Sequence, residues 1–364
     1  MQVISSHTRI QKLDFLRGIA IILVLFRHQL LTPMLQTMGW IGVDLFFVLS
    51  GFLVSGLLFQ EYQKFGSVSP GLFLIRRGFK IYPLYYLTLV AYLLPKLYFH
   101  KFDFQKTLYD CLFVQNYFLG WGYAYPASWS LAVEEHFYIF LALSFGALVK
   151  FAPKKIHQLL YKRGFMICLV SLLSLILLIR YASNLYFPNQ NVFHVTATHL
   201  RIDALLFGVC IAYGYYFKRS TWRDFVLKHQ NKGLILALLL LSFTPFISYV
   251  TSFFVRTIGF TMVYLSFGIL LLCVLFDEHM DNKLNKLFSP LLVRIMARIG
   301  FNSYAIYLLH SLVIYVVSYL PISSSYLQFV LVFILSVGSG IFLTATVESY
   351  FLGIRDVYFP KRTH

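Results

Sequence analysis

Residues 13–28 read LDFLRGIAIILVLFRH, an apolar stretch that carries Asp14, Arg17, Arg27 and His28. A charge facing lipid at the bilayer centre costs about 2.5–3.5 kcal/mol on an insertion scale. In a membrane helix these groups therefore face protein, pair with one another or line a wet cavity. Arg17 and His28 stand eleven residues apart, which in an α-helix is three turns plus about 20°. They share one face and lie about 16 Å apart along the axis, too far to touch. Asp14, three residues before Arg17, is placed to pair with it.

The surrounding chain supports reading this stretch as a membrane helix. Hydrophobic residues make up 59% of the 364 and charged residues 12%, against about 25% charged in soluble domains. Ten apolar runs approach the roughly 20 residues that span a bilayer: 13–31, 41–60, 81–98, 131–149, 165–182, 199–217, 233–249, 254–276, 299–317 and 326–347. Segment 108–119 is shorter and reads as interfacial or re-entrant. With the N-terminus placed in the cytoplasm, segments 1–12, 61–80, 150–164, 218–232, 277–298 and 348–364 hold 23 of the 26 loop Lys and Arg residues. The other three, Lys96, Lys101 and Lys106, lie in 95–130, the longest outer segment. This alternation follows the positive-inside rule. It predicts an all-α, polytopic transmembrane bundle of ten spans with both termini cytoplasmic. Residues 1–364 read as a single domain with no fused extracytoplasmic domain. The net charge of +17 then reflects topology rather than nucleic-acid binding. Cys111, Cys168, Cys210 and Cys273 show neither a disulfide framework nor metal spacing, and the first apolar run does not read as a cleavable signal peptide.

Five cations (Arg17, Arg27, Arg180, Arg201 and Arg256) and six acids (Asp14, Asp44, Glu134, Glu135, Asp203 and Glu348) fall within spans or at their ends. Such residues are site candidates. Glu134 and Glu135 are expected at the depth of His28, pointing about 100° apart, one toward a site and one toward a partner. Asp44 enters from the same side. A carboxylate there would fix the His28 tautomer or position a substrate hydroxyl; pairing with Arg201 or Arg256 is the alternative. Arg201 and Asp203, two residues apart, do not face each other, so each needs its own partner. Tyr304, Tyr307 and His310 share a helix face, with His310 a candidate second site member. No nucleophile-elbow pattern surrounds Ser50 or Ser130, and Ser130 reads as helix N-terminal chemistry before Glu134. His194 and His199 do not make a metal site.

Six strings in chain order resemble the membrane-bound acyltransferase-3 family. The first is the Arg17–His28 helix itself. The others are GWIGVDLFFVLSGFLVSGLLF (39–59), FLIRRGFKIYPLYY (73–86), ASWSLAVEEHFYIF (127–140), RIDALLFG (201–208) and GFNSYAIYLLH (300–310). Lys80 stands where that family more often has Arg, which removes the bidentate fork at that position. The resemblance implies an integral-membrane O-acyltransferase of the bacterial inner (plasma) membrane, with no bound cofactor. Its co-substrate would be acetyl-CoA or another acyl-CoA, and its acceptor a carbohydrate such as O-antigen, capsule or a lipid-linked glycan. His28 would be catalytic with Arg17, Glu134 and Glu135. It would act either as a general base on a sugar hydroxyl or as a covalent acyl carrier. Asp14, Arg76, Arg77, Lys80 and Tyr82 would bind the donor; Asp44, Ser50, Trp129, Arg201, Asp203, Tyr304 and His310 would serve the acceptor or support the site. Two other classes remain open: a transporter or flippase whose charges form a translocation route, and a non-catalytic membrane recognition domain.

Overall fold

The ten apolar runs fall largely in helices, some of them broken, and the described residues contain no strand. The computed structural model describes residues 6–29, 31–162 and 164–362, with side chains from Gln11 onward. The main helices are α1 (Ser6–His28), α2 (Ile41–Phe65), α3 (Pro70–Tyr98), α4 (Trp129–Phe151), α5 (Gly164–Tyr186), α6 (Asp203–Phe217), α7 (Arg219–Leu241), α8 (Phe260–Phe276), α9 (Pro290–Phe301), α10 (Ser303–Val317), α11 (Ser325–Leu343) and α12 (Ser349–Tyr358). Five segments are long and apolar enough to cross a membrane: Pro33–Phe65, Pro126–Phe151, Gly164–Tyr186, Val255–Phe276 and Ser325–Tyr358. A sixth arises if the pair α9 and α10, bent by 77°, counts as one span. In α1, α3 and α7, of 23, 29 and 23 residues, charges or tyrosines dilute the apolar content. At 1.5 Å per residue these helices are still about 34 Å or longer. α5 and α11 turn Leu175, Leu178, Ile334 and Leu335 outward, an apolar surface suited to acyl chains rather than water. The protein is an all-helical integral membrane protein.

Several boundaries differ from the sequence reading. α3 begins at Pro70, with proline in its first turn, where its missing N–H leaves no bond unmade. Arg76, Arg77 and Lys80 therefore ride on the helix rather than in a loop. The run 199–217 is broken at Ile202 into Thr198–Arg201 and α6. α7 stops at Leu241, short of the expected 249. Single π-turns at Val255–Gly259 and Thr344–Glu348 interrupt the spans leading to α8 and α12. The break between α9 and α10 falls at Asn302, whose side-chain amide donates to the Arg298 carbonyl at 2.7 Å.

α1 is the central strut. It packs along α9 on one side and α2 on another, and α2 in turn packs along α6. The contact with α9 is backbone against backbone at Gly18 and Gly300, the small-residue crossing expected where helices meet without a hydrophobic driving force.

Candidate active site

Two cavities lie on either side of Tyr307 and Val43, which line both. The first, of about 200 Å³, is lined by Arg17 of α1, Ser50 of α2, Arg77 and Lys80 of α3, Glu134 and Glu135 of α4, and Tyr304 of α10. Asp14 backs Arg17 at 3.4 Å, as the i,i+3 spacing predicts. Arg77 donates to the Tyr138 hydroxyl at 2.7 Å and lies 4.4 Å from its ring centroid. That hydroxyl donates to Glu134 Oε2 at 2.9 Å. Because Tyr138 has a single hydroxyl proton, Ser50, 2.5 Å away, is the donor in its own bond to Tyr138. Tyr82 donates to Glu135 Oε2 at 2.9 Å, and Glu135 Oε1 is buried without a partner. Lys80 pairs with Glu348 of the second π-turn at 3.4 Å. Tyr304 donates to the Ile81 carbonyl at 2.8 Å. The cavity thus gathers three cations and two carboxylates around a space that accommodates a polar group.

The second cavity, of about 580 Å³, opens at the His28 end of α1. His28 is exposed into it, and Arg27, Gln36, Trp40, Trp121, Trp129 and Tyr249 form much of the remaining wall. The His310 ring lies 5.0 Å from that of His28. His310 Nδ1 is 2.6 Å from the Tyr307 carbonyl. A carbonyl only accepts, so Nδ1 carries a proton, and Nε2 lies 3.2 Å from Ser311 Oγ. His310 is therefore brought next to His28 as an oriented imidazole.

Several expectations are corrected. Glu134 and Glu135 lie with Arg17 rather than at the depth of His28. α4 begins at Trp129, which itself lines the second cavity, and five further residues carry Glu134 about 7.5 Å inward. Asp44 takes the alternative the sequence offered it. It pairs with Arg201 at 2.8 Å, both partners at most 2% exposed, while the Arg201 guanidinium rests on the Phe260 ring. Asp203 pairs with Arg180 at 2.8 Å. Arg201 and Asp203 thus each have a separate partner, and these buried pairs brace helices; Arg201 alone also reaches the wall of the second cavity. Arg76 turns away from the first cavity to bind Asp356 at 2.9 Å and the Phe359 carbonyl. Ser130 does not cap α4. Its hydroxyl lies 2.6 Å from that of Tyr307, both bonding to the Ala127 carbonyl.

Sequence reading named Arg27 and Glu348 as intramembrane candidates without a role, and did not assign Tyr138, Trp40, Trp121 or Tyr249 to a site. Tyr138 carried a signal, being four residues after Glu134 on one helix face; the others come together only in three dimensions. Outside the cavities, the His194 imidazole lies between Ser183 and the Phe187 carbonyl, and His199 beside Tyr117. No group of three His, Cys, Asp or Glu residues among the described residues is arranged to hold a metal.

The polytopic helical bundle thus holds a charged cavity at the Arg17 end of α1 and a histidine-bearing chamber at the other. A family model described as an acyltransferase domain matches residues 10–346, and the chain belongs to the acyltransferase-3 family. Curated relatives include the peptidoglycan O-acetyltransferase OatA of Listeria monocytogenes, 28% identical over 84% of this chain and 49% of the relative. The O-acetyltransferase OatA of Staphylococcus aureus strain NCTC 8325 is 28% identical over 84% of this chain and 51% of its own length. A putative O-acetyltransferase of Staphylococcus aureus strain COL is 29% identical over 83% and 50%. The chain spans about half the length of the curated relatives it matches. No solved structure matches it.

Proposed function

We propose that the protein moves an acetyl group from cytoplasmic acetyl-CoA to a hydroxyl of a cell-surface carbohydrate. It would do so as a ten-span enzyme of the bacterial inner (plasma) membrane with both termini in the cytoplasm. The acceptor belongs to the class that includes the glycan in the name of the Listeria relative, as well as O-antigen, capsule and lipid-linked glycans. The observation that carries this reading is the pair of cavities sharing Tyr307 and Val43, with Arg17, Arg77 and Lys80 on one side and His28 exposed on the other.

Guanidinium and ammonium groups at the Arg17 end suit the phosphates of a coenzyme A donor. Arg17 and His28 are about 16 Å apart along α1, so the donor's flexible arm reaches past Tyr307 and Val43 to bring the thioester to the histidine. His28, accepting the proton from the acceptor hydroxyl, makes the oxygen nucleophilic. The new C–O bond forms at the thioester carbon, the C–S bond breaks, and the thiolate leaves to take up a proton. His310, its Nδ1 tied to the Tyr307 carbonyl, is held in a fixed orientation beside His28.

The test is acceptor-dependent release of free coenzyme A from acetyl-CoA by the purified protein in lipid nanodiscs. His28→Ala is expected to abolish release while elution profile and thermal midpoint stay at wild-type values. Undiminished release by His28→Ala removes the catalytic assignment.

A further inference from the structure

We propose that the chamber beside His28 binds a carboxylate-bearing pyranose, with the sugar ring on Trp121 and the carboxylate on Arg27. This rests on the acceptor being a carbohydrate, as argued above, and specifies which kind. Three of the chain's four tryptophans, Trp40, Trp121 and Trp129, line this one cavity. Trp40 and Trp129 are 4% and 6% exposed, whereas Trp121 is half-buried. Trp129 braces Trp121 edge-on, with centroids 6.0 Å apart and planes at 72°. Tyr249 is occupied differently, stacked on Trp40 at 5.2 Å and with the Arg27 guanidinium 5.1 Å from its centroid. Trp121 is therefore the tryptophan with free surface in the chamber. A flat, half-exposed indole matches the C–H face of a pyranose, and an aromatic wall with a few polar groups is the usual form of a small-ligand site. The buried indole N–H of Trp40 has no hydrogen-bond partner.

The charge balance of the chamber narrows the ligand. Arg27, Arg201 and His28 line it, and no Asp or Glu does. Arg201 is neutralised by Asp44. Arg27 has no carboxylate partner among the described residues; it donates once, to the Gln36 carbonyl at 3.3 Å, of the five donors a guanidinium carries. An unbalanced cation in a partly desolvated wall is unfavourable unless the ligand brings the opposite charge. One free guanidinium matches one carboxylate, which it holds bidentately, better than a phosphate dianion. Arg27 directly precedes His28, so the carboxylate and the hydroxyl that is acylated lie on the same sugar or on adjacent ones.

The probes are a disaccharide of N-acetylglucosamine and glucuronic acid, its carboxyl methyl ester, and N-acetylglucosamine 6-phosphate, titrated by saturation-transfer NMR against the protein in nanodiscs. The acid is expected to bind about tenfold tighter than the ester, the scale of one charge-assisted pair, and tighter than the phosphate. Arg27→Gln removes that preference, and Arg27→Lys, which keeps charge without the fork, retains part of it. Trp121→Ala weakens acid and ester alike by about tenfold, and Trp121→Phe recovers most of the loss. Equal binding of acid and ester, tighter binding of the phosphate, no binding of any probe, or a preference that survives Arg27→Gln overturns the proposal. Coenzyme A release that depends on His28 is measured in parallel. If release persists while these binding results fail, only the carboxylate site falls. If the binding results hold and no release occurs with any acceptor, the site stands and the acyl-transfer reading falls.

Discussion

At the crossing of α1 and α9, a methyl group placed on Gly300 would sit 1.7 Å from the Asp14 carbonyl oxygen, 2.7 Å from the carbonyl carbon and 2.6 Å from the Gly18 nitrogen. All three are backbone atoms, so no side chain can swing aside. Ordinary contact begins at 3.4 Å, and Gly300→Ala therefore drives the two helices apart by about 1.5–2 Å at this turn, in packing that tolerates little expansion. The turn that moves carries Asp14 and, one turn on, Arg17, which lines the first cavity. Displacement of a positioning group by about 1 Å costs roughly 10²-fold in rate, equivalent to about 2.7 kcal/mol. The intrinsic preference of a helix runs the other way, favouring Ala over Gly by up to about 1 kcal/mol. The sign of the stability change therefore reports the crossing itself. Gly338→Ala on α11 is the control, since a methyl there meets nothing within 4 Å.

The assay is coenzyme A release per folded molecule, with the thermal midpoint in the same detergent. Gly300→Ala is expected to lose about a hundredfold in turnover with a lowered midpoint. Gly338→Ala is expected to keep wild-type turnover with a midpoint unchanged or raised. If Gly300→Ala behaves like Gly338→Ala in both measurements, the α1–α9 crossing is slack and the argument that it places Arg17 is wrong.

The neighbouring arginines of α3 part company in the same assay. Arg77→Ala, which loses both the Tyr138 bond and the cavity cation, is expected to raise the acetyl-CoA KM about tenfold or more. Arg76→Ala, which loses contacts to Asp356 and Phe359, is expected to leave that KM within about twofold. Equal shifts would mean that both face the donor. Arg180→Ala or Asp203→Ala alone strands a buried charge and is expected to cost about 3–5 kcal/mol, whereas Arg180→Met with Asp203→Leu recovers most of it. Unfolding midpoints across the cycle decide this, and additive losses would deny the pair. Outside the spans, burial pushes the Asp110 carboxyl up to about 6, against the N–H groups of Ala124 and Tyr123 that pull it down. A carboxyl raised in the folded state stabilises while protonated, fully below its ordinary value near 3.8, and the contribution is lost as pH rises through about 6. Wild type is therefore expected to lose stability relative to Asp110→Asn between pH 5 and pH 7.5, by about 1.4 kcal/mol. Parallel midpoints over that range would refute it.

The helical class and the Arg17–His28 axis were legible because both are local. Composition, loop charge and a fixed 100° per residue are properties of neighbouring residues. The need of Arg201 and Asp203 for separate partners was legible for the same reason. Arg201 was one of two partners the sequence offered Asp44, and the packing of α2 along α6 selects it; the pairing of Arg180 with Asp203, brought about by α5, was not legible. Adjacent Arg76 and Arg77 must diverge by about 100°, yet only the position of α12 decides that Arg76 is the one turned outward. The depth of Glu134 and Glu135 failed on a boundary. A short 3-10 turn at Pro126–Ser128 lets α4 start at the level of the second chamber, and a helix that starts lower carries its acids lower. The aromatic chamber went unseen because its tryptophans come from three separate places in the chain.

The division into two cavities itself follows from electrostatics in a low-dielectric medium. Three cations on the Arg17 side are held near two carboxylates, with Asp14 and Glu348 behind them, so that the charges of that cavity are largely balanced within the protein. The His28 side has no acid in its wall. An imidazole there is not drawn to the protonated state by a neighbouring carboxylate and remains free to accept a proton. Had Glu134 lain beside His28, as the sequence suggested, it would have fixed the imidazole tautomer; no carboxylate lines the chamber to do so. Tyr307, its hydroxyl tied to the Ala127 carbonyl at 2.9 Å, lies between the two environments. The acids of α4 thus lie on the Arg17 side of that divide, and the aromatic wall on the His28 side.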